Sequence, residues 1–257
     1  MNRYGLEPGG RLAGRLGVPG DKSISHRVLL LAALADGVST IRGLSDGHDV
    51  AHTRAVVEAL GADVDGSVAD GLEVHGGRLQ AVEGPLDVGN SGTGIRLLAG
   101  MLAGMPFVSV LDGDRSIRGR PMDRVIEPLR AMGATVDGSE GGDGAPLTIR
   151  GGCLHGIEYW PPMASAQVKG CVLFAGLSAD GPTTVVEPAP TRAHTEELMA
   201  ATGIDVEAAA GRVTVHPGRP DPFDHRVAGD PSQAAFWAVG AAILPGSEVV
   251  VEGVYAG

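Results

Sequence analysis

One pattern returns along the chain: a small polar start, an apolar helix-like run, a glycine turn and a β-branched strand, at residues 25–41, 93–111, 165–186 and 232–251. The turn glycines Gly37, Gly104, Gly181 and Gly246 lie 67, 77 and 65 residues apart. A second pattern, helix then glycine then strand, follows three of the four at residues 53–64, 124–136 and 195–206, with Gly61, Gly133 and Gly203 spaced by 72 and 70. Two patterns in phase at one long period imply a fold built from repeated units. Because each unit mixes helices with short strands, the class is α/β or α+β. Three complete units fill residues 17–226. Residues 1–16 and 227–257 are left over, the latter carrying a fourth start without its second helix, and both are expected to belong to a second, mostly absent domain.

Composition narrows the partners. Twenty Lys and Arg against 31 Asp and Glu give a formal charge of −11, which argues against nucleic acid or an anionic membrane. Residues 1–5 lack the apolar stretch of a leader, and no run reaches the roughly 18 apolar residues of a membrane span. The two cysteines, Cys153 and Cys171, have no metal-ligand spacing, so a reduced cytoplasmic setting is expected. His48 and His52 stand four apart without a third ligand nearby and read as solvent-exposed. No cofactor and no metal are expected. Residues 138–146 and 217–222 read as loops.

An acidic protein that binds an anion must gather its cations locally. Gly20-Asp21-Lys22-Ser23-Ile24-Ser25-His26-Arg27 places two cations and two hydroxyls before the apolar run of residues 28–35. The pattern predicts a helix starting near Ser25 and closed by Asp36-Gly37, with free N–H groups at an anion site. Equivalent helix starts carry Asn90-Ser91-Gly92-Thr93-Gly94 and Ser165-Ala166-Gln167. Under approximate threefold symmetry these ends meet on one side, with Lys22, Arg27, Arg96, Arg120 and Arg192 near them. Taken singly, Arg96 and Arg120 read as surface ion-pair formers. Residues 14–23 suggest a P-loop, but Asp21 separates Gly20 from Lys22 where that motif needs Gly-Lys contiguous.

The motifs GDKSISHR (20–27), GNSGTGIR (89–96), RGRPMDRVIEPLRAMGA (118–134), ASAQVKG (164–170), TRAHTE (191–196) and GDPSQAAF (229–236) resemble the EPSP synthase (3-phosphoshikimate 1-carboxyvinyltransferase) family, in order and at family spacing. The resemblance covers the whole chain but only roughly the first three-fifths of a family member. It implies the enolpyruvyl transferase fold: two domains, each of three βαβαββ-type units, with the active site between them. It also implies transfer of an enolpyruvyl group from phosphoenolpyruvate to the 5-hydroxyl of shikimate 3-phosphate, with release of phosphate, in the shikimate pathway to aromatic amino acids.

By that resemblance Lys22 is catalytic and lies between the two substrates. Ser23 and Arg27 bind phosphoshikimate, Arg27 suited to a bidentate grip on its carboxylate. Ser165, Ala166 through its backbone and Gln167 hold the same substrate, and Thr191 with Arg192 adds to the phosphate site. Gly92 and Arg120 fall where the family binds phosphoenolpyruvate. Asp49 reads as the N-cap of a second helix, Asp230 as a cap or an interdomain residue, and Asn90 as ordering the loop of Gly92. The family's acid and base carboxylates would follow Gly257, so the chain alone is expected to bind phosphoshikimate weakly and turn over little, with a complementary C-terminal half as partner. The sister family acting on UDP-N-acetylglucosamine carries a cysteine where Arg115 stands here and lacks DKSISHR. A non-catalytic phosphosugar-binding module is the reading from another class.

Overall fold

The structure, a computed structural model, describes residues 9–139, 142 and 144–256. Strand β1 (Ala13–Gly17) is followed by helix α1 (Lys22–Leu34), strand β2 (Gly37–Arg42), helix α2 (His48–Ala59) and the hairpin of β3 (Asp63–Ser67) and β4 (Gly71–Gly76). The second unit runs β5 (Pro85–Asp87), α3 (Gly92–Ala103), β6 (Val108–Asp112), the single turn α4 (Arg115–Arg118), α5 (Asp123–Ala131), β7 (Thr135–Asp137) and β8 (Leu147–Arg150). The third repeats it as β9 (Glu158–Tyr159), α6 (Ala166–Gly176), β10 (Thr183–Val186), α7 (His194–Ala201), β11 (Val206–Ala209) and β12 (Arg212–Val215). Strand β13 (Asp224–Arg226), helix α8 (Pro231–Ile243) and β14 (Glu248–Glu252) complete the described chain.

Three four-stranded sheets share one topology. Their orders are β13-β2-β4-β3, β5-β6-β8-β7 and β9-β10-β12-β11. In each, the first pair is parallel and the other two are antiparallel. The first unit therefore takes its leading strand from beyond the third: β13 lies parallel to β2 with Asp224 opposite Thr40. This closes the three βαβαββ units into a ring that neighbouring units alone would not make.

Helices α1, α3 and α6 are apolar on nearly every side because they lie inside that ring. Ile24 to Leu34 is buried throughout, α3 exposes only part of Arg96, and α6 is buried from Val168 onward. Helix α3 packs along α6 and against α1. At their C-terminal ends the orphan carbonyls meet the same partner in each unit: the N–H of Gly77 donates to Ala33 O, that of Gly152 to Ala103 O and that of Gly218 to Leu177 O, at 3.0–3.1 Å.

The expected helix–glycine–strand segments are present in all four places, but local limits differ. Helix α1 begins at Lys22 rather than near Ser25, because Asp21 Oδ1 accepts from the Ile24 N–H at 2.9 Å and makes Asp21 the cap. Asp36-Gly37 does not close it. The helix ends at Ala35, whose N–H bonds Leu31 O, and Gly37 opens β2 with φ 138°. Helix α2 is capped by Gly47, so Asp49 sits in its first turn and is not its N-cap. Asp230 does cap α8, accepting from the Ser232 N–H at 2.7 Å. Of the expected loop 138–146, residues 140, 141 and 143 lie outside the described residues, as do residues 1–8 of the N-terminal segment.

Strands β1 and β14 pair in parallel, Ala13 opposite Glu248 and Gly17 opposite Glu252, apart from the three larger sheets. The segments flanking that pair also meet, with bridges Gly20 to Gly229 and Gly229 to Val254. Helix α8 buries none of its residues although Phe236, Trp237, Val239 and Ile243 are all on it. Among the described residues no helix is long and apolar enough to cross a membrane.

Candidate active site at three helix ends

The caps fix which residues begin each central helix. Asp21 caps α1, Ser91 caps α3 through the Gly94 N–H at 2.9 Å, and Ser165 caps α6 through the Val168 N–H at 3.3 Å. The first two helical positions are thus Lys22-Ser23, Gly92-Thr93 and Ala166-Gln167, whose own N–H groups have no intrahelical acceptor. Partial positive charge from three helix ends gathers on one side of the ring.

Ser23, Arg27, Thr93, Ala166, Gln167, Arg192 and His194 line one small cleft there. Arg27 is its best-held member. It is 2% exposed, and its guanidinium donates to Thr195 Oγ1 at 2.7 Å, Ser23 O at 2.8 Å and Ala166 O at 3.3 Å. Burial lowers its pKa to about 10, opposed chiefly by the Glu196 carboxylate, so it remains a cation at neutral pH. Gln167 is oriented on both sides, donating to Thr93 Oγ1 and accepting from Arg96 Nη1, each at 3.0 Å.

The remaining predicted residues divide. Gly92 lies against two arginines: a Cβ built there would stand 2.6 Å from Arg120 Nη1 and 3.2 Å from Arg96 Nη1. Arg120 donates to Asn90 Oδ1, which holds the loop as expected of Asn90. Among the described residues neither Arg96 nor Arg120 forms an ion pair. Arg96 donates instead to Gly92 O at 2.9 Å and Pro121 O at 3.2 Å, and burial together with Arg120 lowers its pKa. Lys22 Nζ pairs with Asp49 Oδ2 at 2.9 Å. Asp49 and Asn90 both line a second cavity of about 560 Å³ between the first and second units. Ser165 uses its Oγ as the cap of α6, and the Thr191 hydroxyl donates to Glu187 Oε1. Neither lines the cleft.

Several residues went unmarked by sequence reasoning. His26 is fully buried between α1, α2 and α3, with Nδ1 2.7 Å from Thr53 Oγ1 and Nε2 3.2 Å from Ser91 Oγ, the cap of α3. Burial lowers its pKa to about 3, so the ring is neutral. His194 lines the cleft and packs edge-on against Tyr255, with centroids 4.5 Å apart. Its pKa too is lowered by burial. Both histidines lie inside quoted motifs, His26 in GDKSISHR and His194 in TRAHTE, and that placement is the one signal the sequence offered. Cys171 is buried, its thiol pushed up to about 12, and Cys153 is exposed. Among the described residues no group of three or more His, Cys, Asp or Glu is arranged to hold a metal ion.

The profile of the family described as EPSP synthase (3-phosphoshikimate 1-carboxyvinyltransferase) matches residues 6–256. A 3-phosphoshikimate 1-carboxyvinyltransferase of Acidithiobacillus ferrooxidans is 51% identical over 258 residues, covering 99% of this chain and 59% of that protein. The protein of the same name from Alkalilimnicola ehrlichii is 50% identical, covering 97% and 57%. Among solved structures, the EPSP synthase of Acinetobacter baumannii is similar with a TM-score of 0.92 at 42% identity, covering 97% of this chain and 57% of that one. The chain therefore spans under two thirds of the length of these relatives. Its three alike sheets and cation-lined helix ends lie within the stretch these matches cover, and the chain belongs to the EPSP synthase family.

Proposed function

We propose that this chain carries the phosphoshikimate-binding part of an enolpyruvyl transferase. The whole protein would move the enolpyruvyl group of phosphoenolpyruvate onto the 5-hydroxyl of shikimate 3-phosphate. The observation that carries this reading is the cleft itself, where a buried arginine, a second arginine and three helix N-termini converge in a protein of net charge −11. A multiply anionic ligand is what such a cleft can hold.

In this reading Ser23, Arg27, Ala166, Gln167 and Arg192 contact phosphoshikimate. Ser165 and Thr191 act at one remove, as cap and loop tie. Gly92 and Arg120 receive phosphoenolpyruvate beside Asn90, which Arg120 bonds, and Lys22 stands between the two substrates. When the 5-oxygen adds to C2 of phosphoenolpyruvate, a proton must reach C3 and another must leave the hydroxyl. The tetrahedral adduct then expels phosphate and returns a C3 proton, restoring the double bond. Lys22, half-exposed and held by Asp49, is placed to steady negative charge on the phosphate as it leaves.

We assign residues 17–226 to one three-unit domain, and 1–16 with 227–257 to a second. Groups for proton transfer would come from a complementary C-terminal half, which would also cover the apolar surface of α8. A cytoplasmic setting suits these small phosphorylated metabolites.

Calorimetry with shikimate 3-phosphate tests the reading. Binding that Arg27→Ala abolishes supports it; no binding by the unaltered chain refutes it. Phosphate release by the 257-residue chain with both substrates, lost on Lys22→Ala, would place the chemistry within these residues and overturn the need for a complementary half.

A further inference from the structure

Beneath the cleft lies a cluster of charges that the substrate reading leaves unused. Lys169, on the second turn of α6, has a side chain only 1% exposed and is among the large fully buried side chains of the described residues. Its Nζ stands 2.6 Å from Glu196 Oε1 and 3.0 Å from Glu187 Oε2. Both carboxylates are buried too, at 6% and 7% side-chain exposure.

Each carboxylate belongs to a segment that shapes the cleft. Glu187 follows β10, and its other oxygen accepts from the Thr191 hydroxyl, next to Arg192. Glu196 lies in the first turn of α7 beside Thr195, whose Oγ1 accepts from Arg27 Nε. One ammonium on α6 therefore grips the segment that carries Arg192 and the helix turn that aims Arg27. The same helix presents Ala166 and Gln167 one turn earlier. For stability alone, apolar side chains of similar volume serve as well as a buried ionic cluster, since desolvation offsets much of the attraction. What the charges add is direction: a three-donor ammonium between two carboxylates fixes both segments relative to α6.

We propose that Lys169 is a positioning residue for anion binding, tying Glu187 and Glu196 to α6 so that Arg27 and Arg192 face Ala166 and Gln167. The ligand side of this inference rests on the phosphoshikimate reading above.

Three variants of the 257-residue chain test it: Lys169→Met, Lys169→Arg and the triple Lys169→Met/Glu187→Gln/Glu196→Gln. The single Met variant leaves two carboxylates unpaired and risks unfolding. The triple removes all three charges and so keeps the fold while losing the grip. Two readouts are compared: hydrogen exchange at the Arg27 Nε–H by 15N NMR without ligand, and shikimate 3-phosphate affinity by calorimetry. The triple variant is expected to melt near the unaltered chain, yet to lose at least tenfold in Nε–H protection and tenfold in affinity. Lys169→Arg, which keeps a cation able to bridge both carboxylates, restores both to within threefold. A triple variant with unchanged Nε–H protection overturns the inference, as does one that keeps its affinity. If the unaltered chain binds no phosphoshikimate, the substrate reading falls while Nε–H exchange still decides the role of Lys169.

Discussion

Gly100 offers the sharpest test of how packing sets the site. It lies mid-helix in α3, where propensity alone predicts that Ala stabilises by about 1 kcal/mol. The structure predicts the opposite sign. A Cβ at Gly100 would stand 2.1 Å from Cys171 O, 2.8 Å from Cys171 C and 2.9 Å from Cys171 Cα, all backbone atoms of α6. No rotamer change relieves a backbone contact, so the helices must part by about 1 Å at that point, and close-packed interiors resist this. Overpacking of this kind costs about 1–3 kcal/mol. The same displacement strains the bonds between Gln167 and both Arg96 and Thr93, each now 3.0 Å and each worth about 1 kcal/mol. With both bonds lost and less the propensity gain, Gly100→Ala should destabilise by about 2–4 kcal/mol. For a chain of this size that lowers Tm by roughly 5–15 °C. Gly240 in the exposed helix α8 is the control: its Cβ would meet only Leu12 Cδ1, at 3.0 Å, a side-chain tip able to move. There Ala should raise stability by about 0.5–1 kcal/mol. Scanning calorimetry on both variants decides, and a Gly100→Ala melt at or above that of the unaltered chain would refute the close-contact reasoning.

Gly92→Ala should behave differently, because the atoms its Cβ meets are arginine tips rather than backbone. Its Tm should stay within about 2 °C of the unaltered chain, while phosphoenolpyruvate binds more weakly to the completed enzyme. An equal KM for phosphoenolpyruvate in the Gly and Ala forms would count against Arg120 as an anion partner. Acid should unfold the protein partly through His26. Its folded pKa of about 3 lies below the ordinary 6.5, so the unfolded state binds the extra proton, and stability is lost as pH falls from about 6.5 toward 3. The limiting slope is about 1.4 kcal/mol per pH unit, and the lowered pKa values of His194 and His225 add in the same direction. Urea midpoints at pH 7.5, 6 and 5 should fall less steeply for His26→Gln; parallel slopes would remove His26 from the account. Lys22→Met breaks an exposed pair with Asp49 and should change stability by less than about 1 kcal/mol. Phosphate release by the completed enzyme should nonetheless drop by about 100-fold or more, and a drop below tenfold would mean that Lys22 does not meet the reacting phosphate.

The repeat was legible because each unit spells out a buried helix and a β-branched strand, and burial leaves a strong apolar signature. The leading strands were not. Strands β5, β9 and β13 have only two or three residues, and β13 joins the first sheet by a pairing across nearly the whole described chain. No local pattern encodes such a pairing. The start of α1 was ambiguous for a chemical reason: Asp21, Ser23 and Ser25 are all acceptable caps, and only the bond from the Ile24 N–H to Asp21 selects one. Nothing beside Lys169 in the sequence marks it as buried and paired, because its partners stand 18 and 27 residues away and meet it only inside the fold.

Symmetry of the backbone and asymmetry of the side chains together account for what this cleft can recognise. Three equivalent helix ends supply the same geometry three times: a side-chain cap, then N–H groups with no intrahelical acceptor, with each C-terminal end closed by a glycine N–H on the far side. Were the side chains also equivalent, the site would favour a ligand with threefold symmetry. They differ instead at matching positions. The first helical residue is a lysine in one unit, a bare glycine crowded by two arginines in the next, and an alanine in the third. One end therefore offers a half-exposed charge held by Asp49, one room for an anion to approach backbone, and one an apolar wall. The buried cation that orders them, Arg27, spans the units: it is rooted in α1, bonded to Thr195 on α7 and to Ala166 O on α6. A ring of like units thus holds an unlike set of groups at fixed distances, which is what a ligand bearing a carboxylate, a phosphate and hydroxyls on separate edges requires.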